Sequence, residues 1–118
     1  MIRVVNIIPR AMSGETNQDS EPNLAVNPSR TREIAASAFT PNPFGGVNAP
    51  IFTSNDRGRT WTVVANVPSQ AGASTGDITL RFAPSSGNLY TGILRRPGNL
   101  RLNIMRTADF RSPRSKNR

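Results

Sequence analysis

The most informative stretch of this sequence is the octapeptide Ser54-Asn55-Asp56-Arg57-Gly58-Arg59-Thr60-Trp61. Its residues have the chemistry of a tight turn that leads into a strand. The Asp56 carboxylate can accept hydrogen bonds from backbone N–H groups across the bend, and Gly58 can adopt the positive φ that such a bend needs. Thr60 then begins a strand, and Trp61 supplies a large side chain that we expect to pack between sheets, burying about 200 Å².

Alternating apolar and polar residues predict short strands on both sides of this octapeptide. The alternation is clear over 78–82 and 100–104, and a third strand, 89–94, lies between two turns rich in proline and glycine. In the first half of the chain we expect the corresponding strands at about 23–27, 33–39, 50–54 and 60–67. The 9 glycines and 10 prolines among 118 residues argue against long helices.

The sequence also contains an internal repeat of a little over fifty residues. Five residues recur at a constant offset of 56: Glu21, Leu24, Val26, Pro28 and Ser29 lie opposite Asp77, Leu80, Phe82, Pro84 and Ser85. The series continues with Ile34 opposite Leu89, and with Ser54-Asn55-Asp56 opposite Thr107-Ala108-Asp109 at an offset of 53. This period is close to the ~40 to 50 residues of a propeller blade made of four antiparallel strands.

One segment carries conflicting signals. Residues 31–38 contain good helix formers behind a capping threonine, so that local propensity alone favours a helical turn. The repeat, however, aligns Ile34 with Leu89 at the start of a strand. We therefore expect 33–39 to form a strand.

The octapeptide matches the pattern Ser-x-Asp-x-Gly-x-Thr-Trp at every specified position, and it resembles the Asp-box, or BNR repeat, of sialidase-like β-propellers. The resemblance implies an all-β fold of antiparallel four-stranded blades, with about one and three-quarter blades in this chain. Residues 1–110 would form a partial propeller, with blade one at about 20–67 and blade two at about 77–110. It further implies the amino-terminal fragment of a longer propeller. Five box residues are then expected to be structural, not catalytic: Ser54, Asp56, Gly58, Thr60 and Trp61.

The resemblance also implies where a ligand would bind. In the family the box lies on the face opposite the ligand, and the loops on the ligand face contain four candidates here: Glu21, Asp77, Arg95 and Arg96. Sialidases use an arginine cluster, an Asp and a Tyr–Glu pair, because guanidinium groups pair with the substrate carboxylate and carboxylates transfer protons. The family's Arg-Ile-Pro motif is not matched, since Ile8-Pro9-Arg10 has another order, and the single tyrosine, Tyr90, is expected in the core. The catalytic residues therefore remain unknown.

Composition excludes several kinds of chemistry. Zero Cys and zero His exclude disulfides, Cys/His zinc sites, a Ser-His-Asp triad and a Cys–His pair within this chain. We expect no metal and no cofactor. No run of about 20 apolar residues exists, and the apolar stretch before Pro9 is shorter than the core of a signal peptide. The sequence therefore predicts no membrane partner and leaves localisation unknown.

The net charge of +8 is concentrated in the last third of the chain. Residues 1–80 hold six arginines and six carboxylates, whereas residues 81–118 hold nine basic residues and one aspartate. Residues 111–118 carry four of these charges and no large apolar side chain, so we expect a disordered basic tail.

Two functions from different classes fit these features. The first is glycoside hydrolysis or glycan binding by the complete propeller, with an anionic sugar as ligand. The alternative is a noncatalytic propeller scaffold for protein interactions, whose partners are further blades or other copies of the chain. Nucleic-acid binding through the basic segment is a weaker alternative, because only Phe110 lies near these charges and interleaved aromatic residues are absent.

Overall fold

The structure, a computed structural model, describes residues 2–5, 7, 20–39, 49–67, 75–95 and 99–111. Within these ranges the chain is all-β, with two antiparallel sheets and no helix. The first sheet has four strands in the order β1-β2-β3-β4: Ser20–Val26, Ile34–Phe39, Ala49–Ser54 and Thr62–Val67. The second sheet has three strands in the order β5-β6-β7: Thr75–Phe82, Leu89–Arg95 and Arg101–Thr107.

The seven strands predicted from alternation and turn residues are all present. Residues 34–39 form β2, so the strand prediction is confirmed over the competing helical signal. The physical reason is burial: residues on both faces of β2, including Ala35 and Ala36, are buried, and packing of this kind overrides local propensity. The first sheet spans the predicted range 20–67, and the second starts at Thr75, two residues before the predicted boundary.

The main core lies between the two sheets, where β5 packs against β1 and β2. The first sheet contributes mostly small residues to it, and the second sheet contributes the large ones. Its buried members are Ala25, Ala35, Ile51, Ile78, Leu80, Phe82, Leu89, Ile93 and Phe110. Phe82 and Phe110 pack edge to face, with ring centroids 5.2 Å apart.

The internal repeat is visible in the backbone. Both first strands contain a one-residue register shift near their start, between Ser20 and Asn23 in β1 and between Thr75 and Ile78 in β5. The turns that follow are closed by corresponding hydrogen bonds of 2.9 Å: Asn27 N–H to Glu33 O, and Ala83 N–H to Asn88 O. The two units therefore share local geometry as well as sequence.

Within the described residues, the outer face of the first sheet is covered over β3 and β4 by Ile7 and Trp61, whereas its β1 side and the outer face of the second sheet are exposed. On the first sheet, Leu24 is 58% exposed and Val26 is 44% exposed, although their repeat counterparts Leu80 and Phe82 are 0% and 8% exposed. On the second sheet the exposed large apolar residues are Leu102 and Ile104 of β7, with Leu100 just before it. Each outer face thus carries apolar residues at positions suited to a further packed layer.

Two packing expectations were wrong. Trp61 lies on the outer face of the first sheet, against Phe52 and Val63, and not between the sheets. The cause is the alternation of side chains along β3. Ile51 points into the core between the sheets, so the next residue, Phe52, points to the outer face, and Trp61 packs against Phe52 there. Tyr90 is half-buried on the outer face of the second sheet and not in the core, because its neighbours in β6 occupy the inward positions.

Candidate functional site

The two sheets present two ends to solvent. At the turn end lie the β1–β2 turn, the octapeptide turn 54–61, the β5–β6 turn and the segment 108–111 after β7. At the opposite end, called the loop end here, β1, β5 and β7 start and β2 and β6 end. Glu21, Asp77 and Arg95 lie towards the loop end, away from the octapeptide. Arg96 lies outside the described residues.

The octapeptide forms a turn closed by its own side chains. The Ser54 hydroxyl donates to Asp56 Oδ1 at 2.8 Å and accepts from Gly58 N–H at 2.8 Å. Asp56 Oδ1 also accepts the backbone N–H groups of Arg59 and Thr60, each at 2.9 Å, while Thr60 Oγ1 donates to Oδ2 at 2.7 Å. The Asp56 carboxylate is thus engaged on both oxygens within its own turn.

These bonds set the chemistry of Asp56. The backbone N–H of Thr60 is the largest cause that holds the pKa of Asp56 well below its usual range, and the Thr60 hydroxyl and Ser54 hydroxyl act in the same direction. A carboxyl that is ionised and occupied in this way is unsuited to act as a general acid. The structural role of Asp56 stays a prediction.

Backbone conformation completes the turn. Gly58 has φ of 77° and Arg57 has φ of 62°, so two successive residues occupy the left-handed region. The Arg57 N–H donates to the carbonyl of Arg32 at 3.0 Å, and the Trp61 indole N–H donates to the carbonyl of Gly58 at 3.1 Å. The second copy keeps a remnant of this turn, in which the Asp109 N–H donates to Thr107 Oγ1 at 3.0 Å.

At the loop end, the predicted acidic candidates occupy equivalent irregularities. Glu21 lies inside the register shift of β1, and Asp77 lies inside that of β5. A bulge at such a point re-aims side chains and is frequent beside binding sites. The Asp77 side chain is exposed to solvent.

The strand register brings two arginines together at the same end. Arg95 at the end of β6 is the direct partner of Arg101 at the start of β7, and Thr75 of β5 lies on the other side of Arg95. Like charges directly opposite each other in an antiparallel pair are destabilising, whereas an anion between them is stabilising. Arg101 was not among the sequence candidates, because its pairing with Arg95 depends on the register.

The turn end also contains a buried polar cluster that the sequence did not predict. Glu33 is 1% exposed, and both of its carboxylate oxygens accept hydrogen bonds from Arg111, Nε to Oε1 at 2.8 Å and Nη2 to Oε2 at 2.9 Å. Asn27 Nδ2 donates to Oε2 at 2.7 Å, and Arg30 Nη1 lies 3.6 Å from Oε1. The basic tail predicted to be disordered starts at Arg111, but its ion pair with Glu33 fixes the Arg111 side chain. Residues 112–118 lie outside the described residues.

Within the cluster, the negative charge of Glu33 is balanced by the positive charge of Arg111. The hydrogen bonds from Arg111 are the largest cause lowering the pKa of Glu33, outweighing the burial that raises it, and the same pairing raises the pKa of Arg111. The Arg111 guanidinium also stacks over the Phe110 ring, 4.4 Å from its centroid. Glu33 therefore joins the two sheets and offers no free oxygen to a ligand.

A second cationic surface lies beside the octapeptide turn. An open groove of about 390 Å³ is lined by Ser29, Arg30, Thr31, Arg32 and Arg57. Its three arginines have no carboxylate partner among the described residues other than Glu33, which pairs with Arg30. The described part of the chain holds no group of His, Cys, Asp or Glu that could bind a metal ion.

No protein-family model matches the chain, and no curated protein matches it in sequence. Within the described residues no helix is long and apolar enough to span a membrane. The assignment of a function therefore depends on the residues and their arrangement.

Proposed function

We propose that the chain forms two adjacent blades of an Asp-box β-propeller and that its loop end contributes to an anionic-glycan site in the complete ring. The blade assignment draws support from the octapeptide, whose Ser54 and Asp56 side chains hydrogen-bond across the turn as the box motif requires. The matching register shifts and turns of the two sheets are consistent with repeated blades.

Exposure adds a second line of support for blades. Leu24 and Val26 are exposed at positions where the second sheet has the buried Leu80 and Phe82. A preceding blade would cover them as the first sheet covers Leu80 and Phe82. The outer face of the second sheet, with Leu102 and Ile104, would likewise be covered by the blade that follows.

The pairing of Arg95 with Arg101 is the observation that carries the ligand proposal. Two arginine positions paired at one sheet end, on the strand next to the bulge that contains Asp77, suit a sugar that bears a carboxylate and hydroxyl groups. A charged pairing of this kind contributes about 1.5 to 3 kcal/mol when it is partly shielded from water.

Binding is favoured over hydrolysis for this part of the ring. Tyr90 lies near the start of β6, towards the turn end, with Arg81 and Arg106 as its partners on the neighbouring strands. It is thus distant from the loop end and cannot serve there as a nucleophile. The alternative is a noncatalytic propeller scaffold for other proteins.

The proposal is tested by comparing two glycans that differ only in a carboxylate-bearing sugar. We expect the protein to bind sialyllactose more tightly than lactose by isothermal titration calorimetry. Arg95→Gln together with Arg101→Gln, or with the predicted Arg96→Gln, should weaken sialyllactose binding about tenfold or more, since a charged hydrogen-bonded pair is lost. Arg59→Gln at the turn end is the control with the same charge change and should have no effect. Equal weakening for both glycans, or loss of all binding at high salt, would contradict the proposal.

A further inference from the structure

An apolar cavity of about 200 Å³ lies between the outer strands of the two sheets. Ile51 and Val64 of the first sheet form one wall, and Leu89, Thr91 and Met105 of the second sheet form the other. Arg106 and Thr107 at the end of β7 complete the lining. The cavity is continuous with the main core, since Ile51 and Leu89 belong to both.

The internal repeat shows what fills the corresponding place in the first sheet. Leu89 is the counterpart of Ile34, and Met105 is the counterpart of Phe52 at the offset of 53. Trp61 packs against Phe52. A Cβ atom placed on Gly58 would lie 3.6 Å from the Trp61 indole and 3.8 Å from the Ile34 side chain, so Trp61 and Ile34 are neighbours on this face. The cavity thus corresponds to the position that Trp61 occupies in the first unit.

In the second unit the repeat places an arginine at this position. Arg114 stands where the repeat would place the tryptophan, and residues 112–118 contain no large apolar side chain. Phe110 fills only the neighbouring space beside Phe82. The cavity has room for an aromatic ring, since an apolar cavity of about 150 Å³ holds benzene.

The adjoining strand edge is also open within the described residues. β3 pairs with β4 in the first sheet, whereas its counterpart β7 pairs only with β6. An open edge beside an apolar pocket is the arrangement by which sheets bind extended peptides, with backbone hydrogen bonds for affinity and the pocket for specificity.

We propose that β7 and this cavity bind an extended segment of a partner polypeptide, which adds a fourth antiparallel strand and inserts an aromatic side chain into the cavity. The register of β3 with β4 sets the details. In the first sheet, Phe52 of β3 pairs with Val63 of β4, and Thr53 pairs with Thr62, the residue directly after Trp61. Met105 and Arg106 are the counterparts of Phe52 and Thr53 at the offset of 53. In the partner strand, an apolar residue would therefore lie opposite Met105, and the residue directly after the aromatic one would lie opposite Arg106.

Charge selects the residue opposite Arg106. β7 carries Arg101 and Arg106 and no acidic residue, and Arg106 is exposed. Opposite charges directly across an antiparallel pair are stabilising, so the partner strand has the order aromatic, acidic, apolar. This partner site is remote from Arg95 and the loop end, so its failure would leave the glycan proposal unaffected.

The chain's own fourth strand provides a probe. The peptide Thr-Trp-Glu-Val-Val-Ala-Asn-Val copies residues 60–67 with glutamate at the position of Thr62. Labelled with fluorescein, it should bind the full chain in fluorescence anisotropy. Replacing its tryptophan by alanine should weaken binding at least about tenfold, because a buried aromatic anchor is removed. Replacing its glutamate by lysine should weaken binding about two- to fivefold.

Variants of the protein locate the site. Arg106→Glu should reverse the preference between the glutamate and lysine peptides, whereas Arg101→Glu, with the same charge change, should retain it. Val64→Phe fills the cavity and should abolish binding, while Val63→Phe on the opposite face of β4 should not. In NMR, the peptide indole should show contacts to the Met105 methyl group. Equal binding of the tryptophan and alanine peptides, or no binding of either, would overturn the proposal.

Discussion

Arg111 and Glu33 join the two sheets at the turn end through two hydrogen bonds of 2.8 and 2.9 Å. The pair stands beside Phe110, which packs against Phe82 and whose carbonyl accepts a hydrogen bond from Thr53 Oγ1 at 3.2 Å. Residues 78 positions apart are therefore held together where β7 ends. This contact closes the turn end of the main core.

Arg111→Gln should destabilise the protein by about 2 to 3 kcal/mol. Removing one partner of a buried ion pair costs about 3 to 5 kcal/mol, and the partial exposure of Arg111 reduces this. Glu33→Gln should cost less, because the amide leaves no unpaired buried charge. Urea unfolding of both variants and of the double variant measures the coupling. Arg106→Gln, an exposed position on β7, is the control and should be neutral; an Arg111→Gln variant as stable as wild type would contradict this role.

The same pair predicts how stability depends on pH. Since folding lowers the pKa of Glu33 from its ordinary value of 4.5, its contribution is fully present above that value and is lost as the pH falls towards the folded pKa. Thermal melts between pH 7 and pH 2.5 should show the wild type losing stability below about pH 4.5. Glu33→Gln should flatten this loss. Parallel curves for the two proteins would exclude Glu33 as its source.

Trp61→Ala should destabilise the first sheet by about 2 to 3 kcal/mol. Complete burial of a tryptophan would give about 3 to 5 kcal/mol, but this side chain is only half-buried, on the outer face. Asp56→Ala should also destabilise the protein, because the N–H groups of Arg59 and Thr60 lose their acceptor. Chemical denaturation measures both effects. Neither variant should change glycan affinity in its folded state, and a selective loss of binding would contradict a structural role.

The sheets were predictable because their signals are local. Proline- and glycine-containing turns separate short alternating segments, and antiparallel neighbours then pair in chain order. The repeat supplied the one non-local piece of information, and it correctly assigned 34–39 to a strand despite its helix-forming residues. Fold class and strand positions thus followed from periodicity, turn residues and the internal repeat together.

The functional geometry was less predictable because it depends on register and on distant contacts. Nothing in the sequence indicates that Arg111 meets Glu33, since Arg111 begins a run of basic residues typical of a tail. Arg101 became a candidate only through its pairing with Arg95. The side of Trp61 was misassigned because alternation gives two faces and does not say which face meets the second sheet.

Gly58→Ala and Arg57→Gly should change stability in opposite directions. Both residues have positive φ, which costs a residue with a Cβ atom about 1 to 2 kcal/mol relative to glycine. Gly58→Ala should therefore be destabilising by about that amount, although a Cβ there would meet Trp61 only at an ordinary 3.6 Å. Arg57→Gly should be neutral or stabilising. Equal destabilisation by both, measured by urea unfolding, would show that side-chain contacts of Arg57 outweigh its backbone strain.

Leu24→Thr combined with Val26→Thr should reduce self-association without a large loss of stability. Both side chains are largely exposed on the outer face of the first sheet, so little packing is lost in the monomer, and threonine suits a strand. Exposed apolar sheet faces favour association, and we expect the wild type to form oligomers whose fraction rises with concentration in sedimentation velocity. Leu102→Thr with Ile104→Thr, on the other outer face, should have a similar effect if one face packs on the other between copies. Leu80→Thr, at the buried counterpart of Leu24, should instead unfold the protein. A wild type that stays monomeric at every concentration, with cooperative unfolding, would contradict the view that these faces require a covering layer.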